Sequence, residues 1–500
     1  MSDSDTQTAL KQILSGGSIL AVSVALTQLF GFVENILLTR TLSTAEYGAF
    51  VLAISVLTTL STVTQFGLGS GLKRYASEYL ENNDPSSAVG VAVFTLGVSG
   101  VLSLISATVL VIFAEPMASV VFRDPTVAPL LKGISGALLA KTVLDVSSQG
   151  YLAHRKPVLS AFSGGFGQSG LRALVALAGA IYGFSVSQLV LGISLLLVVL
   201  SVLLVPLLFR FFETPVHQTA GRKTEYRRLL RFSLPLFLSS ITGRVLAGAD
   251  YLLLGVLSTT VALGYYRPAF LLATAITIAF RGINRMAYPE LARLYSSNSD
   301  SLDDVIQSIV TWGVVLTLPI VLWMLAFPGE SLRVIFGDGY QRGAPILTII
   351  SVVMFVDVFV GPVGSLLEVL ERSKTVFATY LGASLLNVVL NVSLIPAYGG
   401  VGAAVGTGVS LIALNLMQHR LVTREIDFSH DIRTELQAML VAIIFLVPAW
   451  LLVSSPRVRL LLAPFYYVIV VSVTVRLTPL GQGWVANELR SRLSGITNRH

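Results

Sequence analysis

Apolar residues run along this chain in continuous blocks of about twenty, cut by short polar breaks, from near residue 17 to near residue 477. Crossing the roughly 30 Å hydrocarbon core of a bilayer takes about 20 helical residues, so each block is long enough to span one. Lipid offers no water to satisfy backbone N–H and C=O groups, and such blocks must therefore be helical. The alternation of an outer-membrane barrel is absent, and the blocks are about twice a barrel strand in length. Helices are predicted near 17–39, 49–71, 88–113, 127–148, 158–181, 186–209, 232–256, 262–284, 305–327, 344–370, 375–396, 401–421, 435–454 and 458–477. The fold class is all-α integral membrane, with about 14 transmembrane helices.

The most telling break lies in Asn387–Gly406, which reads NVVLNVSLIPAYGGVGAAVG. Pro396 cannot continue a helix, and Gly399 and Gly400 relieve the backbone, so two membrane helices joined by a very short turn are expected. Gly402, Ala403, Ala404 and Gly406 would let a neighbouring backbone approach closely. Asn387 and Asn391, four apart, share one helix face and can hydrogen-bond to a sugar or to a facing helix.

The two halves echo each other. Leu42-Ser43-Thr44 recurs as Leu257-Ser258-Thr259, Val121-Phe122-Arg123-Asp124 as Ile335-Phe336-Gly337-Asp338, and Tyr182-Gly183 as Tyr398-Gly399. Tyr151-Leu-Ala-His-Arg-Lys156 is likewise echoed by Val369-Leu-Glu-Arg-Ser-Lys374, and the offset is about 214 to 218 residues each time, the mark of an internal repeat. Six helices per repeat is an even number, so both insert with the same orientation and form two parallel lobes. The expected organisation is a short N-terminus (1–16), an N-lobe (17–209), a basic linker (210–231), a C-lobe (232–421), two further helices (422–477) and a tail (478–500).

Composition supports this reading. The chain is 54% hydrophobic and 12% charged, with a mean hydropathy of +0.78. It has no cysteine and 5 histidines, so neither a disulfide framework nor a metal centre is expected. The net charge of +7 reflects basic residues in alternate loops rather than affinity for nucleic acid. Lys73 and Arg74, Arg155 and Lys156, Arg222 to Arg231, Arg281 to Arg293, Arg372 and Lys374, and Arg420 and Arg424 fall on one side. Both termini are thereby expected in the cytoplasm, with the first helix acting as an uncleaved signal. An excess of arginine over lysine and the acidic start SDSDTQT fit a prokaryotic, salt-adapted source, archaea included.

Several stretches together resemble a known family. They are Gly31-Phe-Val-Glu-Asn-Ile-Leu-Leu-Thr-Arg40 with Glu46-Tyr47-Gly48, Gly67-Leu68-Gly69 with Arg74-Tyr75, Pro289 to Tyr295, Gly339-Tyr340 with Ala344-Pro345, and Asn387–Gly406. The pattern is similar to polysaccharide transporters of the multidrug, oligosaccharidyl-lipid and polysaccharide exporter superfamily. The resemblance implies a flippase without covalent chemistry. It would move a polyprenyl- or dolichyl-(di)phosphate-linked sugar from the cytoplasmic to the outer leaflet, by rocking of two lobes, for surface polysaccharide or surface-layer glycosylation. No cofactor is implied beyond coupling to an H⁺ or Na⁺ gradient; membrane lipids and neighbouring glycosyltransferases are the expected partners. Flippases of the peptidoglycan precursor typically carry Arg-Asp where this chain has Glu34-Asn35, which argues against that substrate. No phosphate-cradling Gly-rich loop with Lys and Ser or Thr is present, in keeping with a transporter that does not hydrolyse ATP.

Charges inside the spans mark the candidate site, because an ionisable residue in mid-helix costs about 2.5 to 3.5 kcal/mol on insertion scales. These are Glu34, Arg40, Lys132, Lys141, Asp145, Arg172, Arg244, Asp250 and Asp357. Glu34 and Asp250 are equivalent within one residue under the repeat and are the ion-coupling candidates, expected to face each other across the two-fold axis. Lys141 and Asp145, four apart, are expected to neutralise one another. Arg172 and Arg244 lack an acid three or four positions away. They are candidates to grip a phosphate, with snorkelling or pairing to Glu34 or Asp250 as the alternative. Arg40, Asn387 and Asn391 complete the substrate candidates. Arg281 and Arg285 are expected at headgroup level, where they could hold anionic lipid or gate the substrate. The competing reading is a multidrug or cation antiporter of the related extrusion family, which unpaired basic residues in the spans disfavour. A membrane-embedded glycosyltransferase is a poorer fit, since every predicted outer loop is short.

Overall fold

The fold is described by a computed structural model at residues 3–212, 223–297, 301–426, 432–452 and 455–477. The tail 478–500 and residues 213–222 of the expected linker lie outside the described residues. Everything regular within them is helical. In chain order the helices are α1 (Asp3–Thr41), α2 (Thr44–Gln65), α3 (Leu68–Glu81), α4 (Pro85–Pro116), α5 (Ala128–Ala153), α6 (Pro157–Gly164), α7 (Phe166–Tyr182), α8 (Val186–Arg210), α9 (Lys223–Leu257), α10 (Thr260–Ala275), α11 (Ile278–Ser296), α12 (Ser301–Ala326), α13 (Pro328–Phe336), α14 (Ala344–Val360), α15 (Val363–Val369), α16 (Ser373–Val422), α17 (Ile432–Leu452) and α18 (Pro456–Leu477).

Every predicted segment falls on one of these helices or on a broken pair. Among the described residues nine helices are long and apolar enough to cross a membrane, ten if the pair α10–α11, bent by 47°, is one span. The differences from expectation lie at breaks within apolar runs. The run 49–71 stops at Gln65, where Phe66 (φ 48°) and Gly67 (φ 68°) turn left-handed before the amphipathic α3. The run 158–181 breaks at Gly165, and 344–370 at Gly361 (φ 89°). At the N-terminus, α1 begins at Asp3 rather than 17, since hydropathy detects only the apolar part of a helix. The short α13 has no counterpart among the predicted segments.

The chain divides into two compact units, 1–264 and 265–500. The division comes after α9 rather than in the basic linker, because α9 packs along α2 and α3. The core of the first unit gathers Leu72, Tyr75, Val146, Tyr151, Leu208 and Leu229 from α3, α5, α8 and α9. The core of the second gathers Phe280, Val314, Val358, Leu366 and Val422. Large apolar side chains such as Leu104 and Ile112 on α4 and Leu195 and Leu203 on α8 stay exposed, as lipid-facing surfaces do.

Ser43 begins α2 with a capping box. Its hydroxyl accepts from the Glu46 N–H, and the Glu46 carboxylate accepts from the Ser43 N–H at 2.9 Å. The matching Thr259 hydroxyl accepts from the Ala262 N–H at 3.1 Å ahead of α10. Within the first unit these two helix starts touch reciprocally. A Cβ on Gly48 would lie 1.8 Å from the Thr260 carbonyl oxygen, and one on Gly264 would lie 2.2 Å from that of Thr44. Thr44 and Gly48 precede Thr260 and Gly264 by the same offset of about 216, so the contact has the mutual form of a two-fold interface.

The turn expected near Pro396 is a single residue. Gly399 (φ 54°, ψ −130°) interrupts α16, and the two arms fold back on one another. Gly402 lies under the Leu394 carbonyl, 2.4 Å from where a Cβ would stand, and Gly406 faces Asn391. Gly402→Ala is expected to force the arms apart at a cost of about 1–3 kcal/mol. A lowered Tm in detergent, with Gly382→Ala unchanged where nothing stands within 4 Å, would check this.

Candidate functional site

In the first unit α1 packs along α7, and the pairing brings two candidate residues together. Glu34 is 4% exposed, and its Oε2 stands 3.3 Å from Arg172 Nε. The alternative left open for Arg172, partnership with Glu34 in space, is thus the one the structure adopts. The next residue points to another helix: the Asn35 carbonyl oxygen accepts from the Tyr47 hydroxyl of α2, while its amide donates to the Gly31 carbonyl at 2.6 Å. Consecutive residues of α1 therefore tie it to α7 and to α2.

A second polar group surrounds Asp145 on α5. Lys141 Nζ donates to its Oδ2 at 2.9 Å, as the four-residue spacing predicts. Ser61 Oγ and Gln65 Nε2 from α2 donate to the same oxygen at 3.2 Å, and Gln168 Nε2 from α7 donates to Oδ1 at 2.9 Å. Lys141 reaches Gln168 Oε1 as well, at 3.3 Å. An ion pair with all these donors is stable among apolar helices and joins three of them.

The remaining first-unit candidates are dispersed. Arg244 on α9 donates to the Thr58 hydroxyl of α2. Asp250, one turn and a half further along α9, is 2% exposed. Arg40 lies exposed in the last turn of α1. Lys132 is not a mid-span charge: it sits near the start of α5, half-exposed, and pairs with Glu115 at 2.7 Å.

In the second unit, Asn387 Nδ2 donates to Thr407 Oγ1 across the α16 turn at 3.1 Å, and Asn391 Nδ2 donates to the Asn387 carbonyl at 2.9 Å. Both residues are at most 1% exposed, and the side-chain carbonyl oxygens of both are buried with no hydrogen-bond partner. Asp357 on α14 accepts from Asn415 Nδ2 at 3.0 Å, with the Arg281 charge of α11 within electrostatic reach. Arg281 and Arg285 are exposed on α11, one turn apart.

A family model described as polysaccharide biosynthesis protein matches residues 13–295, more than half of the chain. The chain belongs to this polysaccharide biosynthesis protein family. Among its relatives is the probable low-salt glycan biosynthesis flippase Agl15 of Haloferax volcanii, 28% identical over 39% of this chain. That match spans 41% of the relative's length. Among solved structures, the lipid II flippase MurJ in an inward closed conformation superposes with a TM-score of 0.72 at 13% identity, covering 91% of this chain and 98% of that one. An inward-facing multidrug resistance transporter of the MATE family gives 0.62 at 15% identity, covering 82% and 99%. These two likenesses show a shared all-helical membrane fold.

Within this polysaccharide biosynthesis protein, charges and amides are buried among span-length helices. Ser61, Gln65, Gln168, Tyr47, Asn415 and Thr407 hold the charged and amide residues, and of these the sequence marks Tyr47 alone, as part of the family pattern. Their signal is only that they are uncharged polar residues in apolar runs; their partners lie 12 to 84 residues away. Removing Arg172 takes an ion-pair partner from the buried Glu34 carboxylate. Arg172→Met is expected to destabilise the protein by about 3 kcal/mol, with Glu34→Gln/Arg172→Met recovering most of it. Chemical denaturation of all three single and double variants checks this.

Proposed function

We propose that this protein is a flippase that carries a polyprenyl-(di)phosphate-linked sugar or oligosaccharide from the cytoplasmic to the outer leaflet by alternating access. The observation that carries the reading is a set of ion and amide groups buried among apolar span-length helices of a polysaccharide biosynthesis protein. A bilayer protein keeps such groups at an expense that solute handling justifies. The Haloferax volcanii relative named as a probable low-salt glycan biosynthesis flippase supports the substrate class, and surface polysaccharide or surface-layer glycoprotein is the destination. The termini face the cytoplasm in this reading. Arg244, beside an exposed stretch of α9, takes the phosphate, and Arg281 and Arg285 meet the headgroup.

A cation gradient drives the cycle. The two unpartnered side-chain carbonyl oxygens of Asn387 and Asn391, close to the Thr407 hydroxyl, suit a hard cation such as Na⁺. Glu34 and Asp250 are the protonatable alternatives.

Deleting the gene and analysing polyprenyl-linked sugars leaflet by leaflet is expected to show accumulation on the cytoplasmic side. Unchanged lipids with altered drug sensitivity would instead favour a multidrug or cation antiporter. In proteoliposomes, Asn387→Ala/Asn391→Ala is expected to abolish the Na⁺ dependence of transport, whereas Glu34→Gln leaves it; the reverse would move coupling to the carboxylate.

A further inference from the structure

One end of the first unit carries cations that its acids do not neutralise. On α3, the Arg74 guanidinium lies 4.6 Å from the ring centroid of Phe232, a residue of α9. From α9, the Arg228 guanidinium lies 4.9 Å from the ring of Tyr75, a residue of α3. The two rings meet edge-on with centroids 5.6 Å apart, and the Arg74 guanidinium also lies 5.8 Å from the Tyr75 ring, so the helices exchange aromatic seats and hold both like charges at one ring pair. Glu78 reaches Arg228 alone, at 3.5 Å. Among the described residues Arg74 has no carboxylate partner.

A guanidinium stacked on a ring keeps its N–H edge for in-plane partners, and that edge matches the oxygens of a phosphate; on Arg228 the Glu78 carboxylate takes Nη1, at 3.5 Å. Two guanidiniums held at one ring pair can turn such edges to one anion, and binding it relieves their mutual repulsion. The adjoining face of α9 says what else that anion bears. Arg227, Leu230, Arg231 and Leu234 follow one another at helical spacing and are all exposed, the leucines by 38% and 46%. Basic and apolar side chains sharing one exposed face, at the start of an apolar span beginning at Tyr226, suit a phosphate joined to hydrocarbon chains.

We infer that Arg74 and Arg228, seated on Phe232 and Tyr75, form a binding site for the phosphate of an anionic membrane phospholipid, whose chains lie against Leu230 and Leu234. The site is separate from the buried polar groups described above and does not depend on what the protein transports.

The test uses delipidated full-length protein in detergent, titrated with phosphatidylglycerol or phosphatidylcholine, with bound lipid counted by native mass spectrometry. Wild type is expected to retain phosphatidylglycerol in preference. Arg74→Gln/Arg228→Gln is expected to weaken that retention about thirty-fold, two basic residues each contributing about five-fold near a membrane surface, and to leave phosphatidylcholine unchanged. Equal retention of the two lipids by wild type, or full retention by the variant, overturns the site. Should the variant not fold, wild type decides: millimolar inorganic phosphate is expected to leave phosphatidylglycerol bound. Displacement by phosphate would assign the arginines to a free anion and overturn the lipid assignment.

Discussion

In hydrocarbon a polar group without a partner has nowhere to turn, and this single constraint shapes the chain at every scale. It makes the backbone helical throughout the described spans. It also governs where helices break. Gly67, Gly361 and Gly399 interrupt apolar runs at positive φ, and the breaks at Gly67 and Gly361 lie against another helix rather than on an open loop. The caps at Ser43 and Thr259 close the exposed amides of α2 and α10 at the point where those helix starts touch.

The same constraint explains how the buried charges are arranged. Asp145 sits in a cage of four donors from three helices, so its charge adds to the cohesion of the first unit. Glu34 has Arg172, and between them they bind α1 to α7. Asn387 and Asn391 differ: their donors are satisfied and their acceptors are not. A buried acceptor left over in a tightly packed turn is costly.

Much of the fold was legible in the residues. Continuous apolar blocks mark the helices, Pro396 and Gly399 mark the α16 turn, and Leu-Ser-Thr before α2 and again before α10 marks both caps. What stayed hidden depends on distance along the chain. Glu34 and Arg172 are separated by five helices, and no local spacing announces their contact. Lys141 and Asp145 were readable because they lie one turn apart, while Gln65 and Gln168, which complete the same cage, were not. Breaks such as Gly165 and Gly361 escaped notice because a run of apolar residues looks alike whether the helix within it is whole or bent.

The one-residue turn at Gly399 has a consequence for biogenesis. With no hydrophilic loop between its arms, α16 cannot be handed to the bilayer one arm at a time; the translocation machinery must release both as a closed pair. The first arm, weakened in apolar character by Asn387 and Asn391, enters the membrane already hydrogen-bonded to Thr407 of the second. Its polar residues are thus carried in by their neighbour, before the rest of the C-terminal helices has been synthesised.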